Sequence, residues 1–249
     1  MDLRLDGKRV IVTGGTRGIG RAIATTFAQA GAKLVINYHR NGKAADETVE
    51  ELRQLGCEPL LVKGNAADVE FGRHLVERAV QAMGGVDILV NNAAVSHNTP
   101  FLMLETDEWH EAVDVNINAL FSVTQPVLRQ MIEQRIHGSI LNLTSVCGVR
   151  PVAAVPVHYA TTKAAIHGFT YTLAKEIGRY GIRVNGIAPG LIETAFAANL
   201  PEARHEDFRK FCPMQRIGKP AEVANLALFM VSEFNSYMTG ETVVVSGGL

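Results

Sequence analysis

Seven short runs of apolar, often β-branched residues are spaced along the chain, at 8–13, 33–38, 59–63, 86–91, 138–145, 183–188 and 242–245. Most are apolar at nearly every position rather than at alternate ones, so both faces of each predicted strand need cover. Between them, helical patterns run over 18–30, 43–55, 69–83, 107–134, 157–180 and 221–232. Alternation of this kind predicts an α/β fold, a parallel sheet with helices on both faces joined by right-handed crossovers. No Pro/Ser-rich linker and no internal repeat interrupts it, which predicts one doubly wound domain over 1–249. The segment 194–214 breaks the rhythm. It mixes charges with Phe196, Leu200, Phe208 and Phe211 and predicts a helical, lid-like excursion over a site.

Composition narrows the classes. The 249 residues are 47% hydrophobic with a net charge of -1, which provides a core and asks for neither nucleic acid nor an anionic membrane. The opening MDLRLDGKRVIV has acids and no long apolar run, unlike a signal peptide or a membrane span. Three widely spaced cysteines, Cys57, Cys147 and Cys212, suggest neither a disulfide framework nor a zinc site, and a reducing cytoplasm is the expected home.

The first candidate chemistry is TGGTRGIG at 13–20, directly after the first strand and opening the first helix. Gly14, Gly18 and Gly20 permit a tight turn and close approach of backbone to a pyrophosphate, which the helix N-terminus would hold. This is the strand–turn–helix context of a Rossmann-type dinucleotide site, with the spacing G-x-x-x-G-x-G. An NAD site wants an acid about 20 residues on, for the ribose 2′-hydroxyl. The second strand instead ends Asn37-Tyr38-His39-Arg40, and no acid follows until Asp46. With Arg17 inside the turn and Arg40 after the strand, the cations suit a 2′-phosphate. The expected cofactor is NADP(H).

Further along come NNAA at 91–94, Asn116, Ser145, Tyr159-x-x-x-Lys163 and Pro189-Gly190. In this order they resemble the short-chain dehydrogenase/reductase family over essentially the whole chain. Within it the closest likeness is to 3-oxoacyl-[acyl-carrier-protein] reductases, carried by GIRVNGIAPGLIET and TGETVVVSGG. The resemblance implies cofactor contacts from Gly14, Thr16, Arg17, Gly18, Ile19, Gly20, His39, Arg40, Asn65, Ala66, Asn92, Ala93, Ala94, Tyr159, Lys163, Pro189, Gly190, Ile192 and Thr194. It implies a catalytic set of Asn116, Ser145, Tyr159 and Lys163, with no metal. It also implies a homotetramer, and an acidic acyl carrier protein docking through Arg135 and Lys175 on a basic patch near the pocket mouth. There are departures from the family pattern. Ala94 stands where glycine is common and is tolerable unless its φ must be positive. Asn65 replaces a common Asp, and 14 positions separate Ser145 from Tyr159.

Ketone reduction needs a hydride on carbon and a proton on oxygen. A tyrosine is a poor acid, with an intrinsic pKa of about 10; moving it near 7 takes about 4 kcal/mol. One cation at ~4 Å in an effective dielectric of about 20 provides about that much. Lys163 lies one helical turn from Tyr159, on the same face. Tyr159 is thus expected to be the general acid, with Lys163 lowering its pKa and holding the nicotinamide ribose. Ser145 would orient the carbonyl, and Asn116 would hold a water relaying protons to Lys163. His158 reads as a surface residue or a substrate contact, and Cys147 as a small buried residue near the pocket. The expected reaction is NADPH-dependent reduction of a 3-oxoacyl carrier-protein thioester in fatty acid or polyketide-type synthesis. A dehydrogenase of a sugar, steroid or other secondary alcohol, and a non-catalytic NADP(H) sensor, are the alternatives.

Overall fold

The computed structural model describes residues 3–152, 155–198 and 202–249, without the side chains at 196, 202–205 and 207. Seven parallel strands form one sheet: β1 (Arg9–Thr13), β2 (Lys33–Tyr38), β3 (Leu60–Lys63), β4 (Ile88–Asn91), β5 (Ser139–Leu143), β6 (Arg183–Pro189) and β7 (Thr242–Val245). Their order is β3-β2-β1-β4-β5-β6-β7. The reversal between β1 and β4 opens a crevice at the carboxyl ends, where ligands of such sheets bind.

The helices are α1 (Gly18–Gln29), α2 (Gly42–Gln54), α3 (Val69–Met83), α4 (Thr106–Val113), α5 (Ala119–Glu133), α6 (Val146–Val149), α7 (Val157–Ile177), α8 (Ala195–Ala198), α9 (Glu202–Phe211) and α10 (Pro220–Val231). The pleat sends neighbouring strand residues to opposite faces. On one face Val10 and Val12 of β1 pack with Phe27 of α1 and Ala227 and Met230 of α10. On the other, Ile11 joins Leu75 of α3, Val127 of α5 and Ile177 of α7. That division is why the strands are apolar at consecutive positions.

Two elements differ from the expected pattern. The stretch 107–134 is not one helix: a π-helical turn, Asp114–Asn118, separates α4 from α5. The excursion at 194–214 contains two helices, α8 and α9. Leu200 and the side chain of Phe196 lie outside the described residues.

Candidate active site

The glycine turn is sewn to the end of β4. The backbone N–H groups of Asn92 and Ala93 donate to Thr13 Oγ1 at 3.0 and 3.2 Å, and Asn92 Nδ2 donates to the Thr13 and Gly14 carbonyls, both at 3.0 Å. Gly14 has φ +62°, and a Cβ there would stand 3.0 Å from the Ala93 Cα. At Gly20 a Cβ would lie 2.4 Å from Asn92 Nδ2. The turn is therefore built for backbone approaching backbone. The Arg17 side chain, at the N-cap of α1, makes no capping hydrogen bond, so the first N–H groups of the helix can serve an anion, helped by the helix dipole. The donors and the missing side chains together fit a dinucleotide pyrophosphate.

The turn forms one side of a cleft of about 840 Å³ at the carboxyl ends of the strands. Of the expected cofactor residues, Gly14, Thr16, Arg17, Gly18, Ile19, His39, Arg40, Asn65, Ala66, Asn92, Ala93, Ala94, Tyr159, Lys163, Pro189, Gly190, Ile192 and Thr194 all line it. Gly20 lies behind the wall, packed on Asn92. Ala94 is not among the described residues with positive φ, so its methyl carries no strain. Asn65 Oδ1 accepts from the Ala67 N–H at 3.1 Å, which shapes the turn after β3.

At the far side Ser145, Tyr159 and Lys163 face the cleft together. Ser145 ends the strand layer and precedes α6; α7 carries the other two one turn apart. The helices meet closely: a Cβ on Gly148 would sit 2.5 Å from the Lys163 carbonyl. Thr144 Oγ1 donates to that carbonyl at 2.6 Å. Lys163 Nζ lies 5.6 Å from the Tyr159 ring centroid and donates to the Leu143 carbonyl at 2.8 Å. Ser145 hydrogen-bonds Tyr159, and the Cys147 thiol donates to Ser145 Oγ at 3.2 Å.

Burial works against the lowering expected at Tyr159. Burial pushes the Tyr159 hydroxyl well above the usual tyrosine value, against the smaller lowering from Ser145. Burial likewise pulls Lys163 down to about 8. The amine is turned toward Leu143, and desolvation outweighs the lowering expected from one cation. In this geometry Tyr159 is a neutral donor that keeps its proton.

Asn116 sits behind the cleft wall rather than on it, in the π-helical turn. Its Oδ1 accepts from the Val95 N–H at 2.8 Å, and its Nδ2 donates to the Val95 carbonyl at 3.0 Å and Thr162 Oγ1 at 2.9 Å. Thr162 Oγ1 in turn donates to the Tyr159 carbonyl at 2.9 Å. Asn116 thus ties the segment after β4 to α7 at the tyrosine's own turn.

His158 is not a surface residue; it is 1% exposed. Its Nε2 accepts from the His97 N–H at 3.1 Å, which leaves Nδ1 to carry the proton of a neutral ring, and burial lowers its pKa. Arg135 and Lys175 do not flank the cleft mouth of this chain. Arg135 follows the end of α5, whose preceding Gln134 lies beside Gly85 and Arg9 where β4 and β1 begin. Lys175 is 12 residues along α7 from Lys163, about 18 Å of helix axis away, and packs over Tyr171 with Nζ 4.2 Å from the ring centroid. Both helices run away from the carboxyl ends of the strands, so their last turns lie toward the amino ends, where β5 and β6 begin. Among the described residues no cluster of three His, Cys, Asp or Glu could hold a metal ion, and no helix is long and apolar enough to cross a membrane.

Sequence reasoning missed Glu111 and His97, which also line the cleft. Glu111 Oε1 lies 3.4 Å from an Arg40 Nη, and its Oε2 lies 3.0 Å from His97 Nε2. The available signal was spacing: Glu111, Val115 and Ala119 are four apart and all face the cleft. Asp46, the first acid after β2, faces a different surface groove with Arg21, Glu47 and Glu51. Of the apolar residues in the excursion, Phe208 lines the cleft and Phe211 is 71% exposed.

Known proteins match this arrangement. A family described as Enoyl-(Acyl carrier protein) reductase matches residues 14–249. The 3-oxoacyl-[acyl-carrier-protein] reductase FabG of Aquifex aeolicus (strain VF5) is 41% identical over 250 residues, covering 100% of each chain. The protein of the same name from Thermotoga maritima is 38% identical over 249 residues, covering 99% of each. Among solved structures, a short chain dehydrogenase from Burkholderia cenocepacia J2315 in complex with NADP superposes with a TM-score of 0.91 at 33% identity, covering 98% of each chain. A putative short-chain alcohol dehydrogenase from Sinorhizobium meliloti 1021 gives 0.93 at 31% identity, covering 100% of this chain and 98% of the other.

Proposed function

Since the chain belongs to the short-chain dehydrogenase/reductase family and is an oxidoreductase with a nicotinamide cofactor, we propose that it reduces the 3-oxoacyl group of an acyl-carrier-protein thioester to the 3-hydroxy product with NADPH. The setting would be fatty acid or polyketide-type synthesis, and the working form a cytoplasmic homotetramer. The observation that carries the reading is the convergence of Ser145, Tyr159 and Lys163 on one wall of the cleft, facing the glycine turn. The names of the full-length relatives supply the substrate class. The cleft agrees with an acyl chain, because Val152, Val155, Pro156, Leu191 and Phe208 present apolar surface beside the catalytic wall. The segment carrying Phe208 would cover that chain as a lid.

When bound, NADPH supplies the hydride. Gly14, Gly18 and the α1 N-terminus hold the pyrophosphate, and Arg17 and Arg40 offer cations to a 2′-phosphate. The Ser145 hydroxyl orients the substrate carbonyl toward Tyr159. Tyr159, held neutral by burial, keeps its proton until the carbonyl oxygen gains negative charge, and then donates it. Lys163 secures the ribose side of the site and balances the phenolate left behind. Proton flow from solvent would reach this pair past Asn116. Docking of a carrier protein through Arg135 and Lys175 would engage the amino-terminal end of the strands, away from this cleft, so those two residues could guide a carrier only to a neighbouring subunit.

The test is NADPH oxidation with a 3-oxoacyl carrier-protein thioester. Steady turnover is expected, and Tyr159→Phe should reduce kcat by about 10²–10⁴-fold with cofactor affinity little changed. Binding of NADPH with no turnover of any 3-oxoacyl thioester by the wild-type protein would refute the reading.

A further inference from the structure

The carboxylate missing from the end of β2 is present in the cleft, delivered from another element. Glu111 belongs to α4, four residues before Val115, and reaches the loop after β2 at Arg40. Its two oxygens are divided: Oε1 is 3.4 Å from Arg40, and Oε2 is 3.0 Å from His97 Nε2. The two partners differ in freedom. The Glu111 side chain is 32% exposed and anchored by His97, whereas the Arg40 side chain is 77% exposed. A guanidinium so exposed can turn from the carboxylate to a phosphate; the carboxylate stays where it is.

We infer that Glu111 sets how strongly the cleft distinguishes a 2′-phosphorylated dinucleotide from an unphosphorylated one, by competing for Arg40. This inference rests on the NADP(H) reading above. A phosphate that engages Arg40 must draw it from Glu111, so two anions compete for one guanidinium while His97 keeps the carboxylate in place. A 2′-hydroxyl brings no charge and does not compete for the guanidinium. Glu111 therefore opposes the phosphorylated form and tolerates the other. The wild-type preference for the 2′-phosphate is the difference between the attraction of Arg17 and Arg40 and the competition of Glu111 for Arg40.

The experiment uses fragments without nicotinamide, so that chemistry does not enter. Affinities of 2′,5′-ADP and 5′-AMP are measured by titration calorimetry on the wild type, Glu111→Gln, Arg40→Gln and the double variant. Glu111→Gln should tighten 2′,5′-ADP about fivefold, ~1 kcal/mol at the upper end for an exposed charge pair, and leave 5′-AMP unchanged. In the Arg40→Gln background the same substitution should give a smaller gain, because the shared cation is gone. The kinetic counterpart is a rise in the NADPH-to-NADH ratio of kcat/KM, carried by KM. If the wild type prefers 2′,5′-ADP and Glu111→Gln leaves the preference unmoved, the inference is overturned while the NADP(H) reading stands. If the wild type and every variant bind both fragments equally, both are overturned.

Discussion

Tyr159 and Lys163 are placed where neither can be charged cheaply. The lysine is 2% exposed and its pKa is pulled from 10.5 to about 8, a penalty on the ammonium of about 3 kcal/mol. The sign is set by the lowered folded value. Below pH 8 both states hold the proton and the penalty is constant; between 8 and 10.5 only the unfolded chain holds it, so folding gains stability as pH rises. Lys163→Met should therefore be more stable than the wild type at pH 7 by about 1–3 kcal/mol, after the lost bond to Leu143 is counted, while turnover collapses. The advantage should shrink between pH 8 and 10.5. Thermal unfolding across that range checks it, and a variant less stable than wild type at pH 7 would count against a strained lysine. The Tyr-x-x-x-Lys spacing was legible because one helical turn dictates it. The opposing pull of burial was not, since desolvation depends on α6 and β5 closing over α7. Glu111 and His97 were hidden for a similar reason: each gains meaning only from a partner on another element.

At the level of elements, consecutive apolar positions identified the seven strands, and the helical patterns found the helices within a few residues. What they missed was the break within 107–134. Apolar spacing passes through the π-helical turn almost undisturbed, yet that turn presents Asn116 to Val95 and Thr162 together. The direction of each helix was also implicit but unused. A crossover helix runs antiparallel to its strands, which sends Arg135 and Lys175 toward the amino ends of the strands, away from the cleft. The glycine turn stands between β1 and α1, where its spacing places it, because its constraint is local. Its tightest point is Gly20, where a methyl would meet Asn92 Nδ2 at 2.4 Å and the Gly14 carbonyl at 2.5 Å. Gly20→Ala should cost about 1–3 kcal/mol and weaken dinucleotide binding, because relief requires moving the turn or Asn92. Gly42→Ala is the control, since nothing lies within 4 Å of a Cβ there. Equal unfolding midpoints for the two variants would show that the turn yields freely.

Across the whole molecule, pH response gathers groups that are far apart. Asp87 is held below the usual aspartate range: burial pushes it up, but hydrogen bonds and charge from Arg9 outweigh that. Its contribution to stability is present above about pH 4 and is lost only as pH falls through the lowered value. His158 acts earlier. Its pKa is lowered mainly by burial and by His97, with Glu108 pulling the other way. A lowered histidine favours folding while neutral, so its contribution is whole above its unfolded value near 6.5 and is lost as pH falls through the folded value. Protonation also removes the lone pair that accepts the His97 N–H, so the acid limit of the fold passes through the cleft wall. The wild type should therefore begin to lose thermal stability as pH falls below about 6.5, before Asp87 titrates. Gln at 158 can still accept that bond through its amide oxygen but does not titrate. His158→Gln should be somewhat less stable at pH 7 and yet show a flatter profile just below pH 6.5, with the two curves steepening together only near pH 4. Parallel curves throughout would assign the early acid loss to other groups, and would separate the buried imidazole from the stability of the cleft.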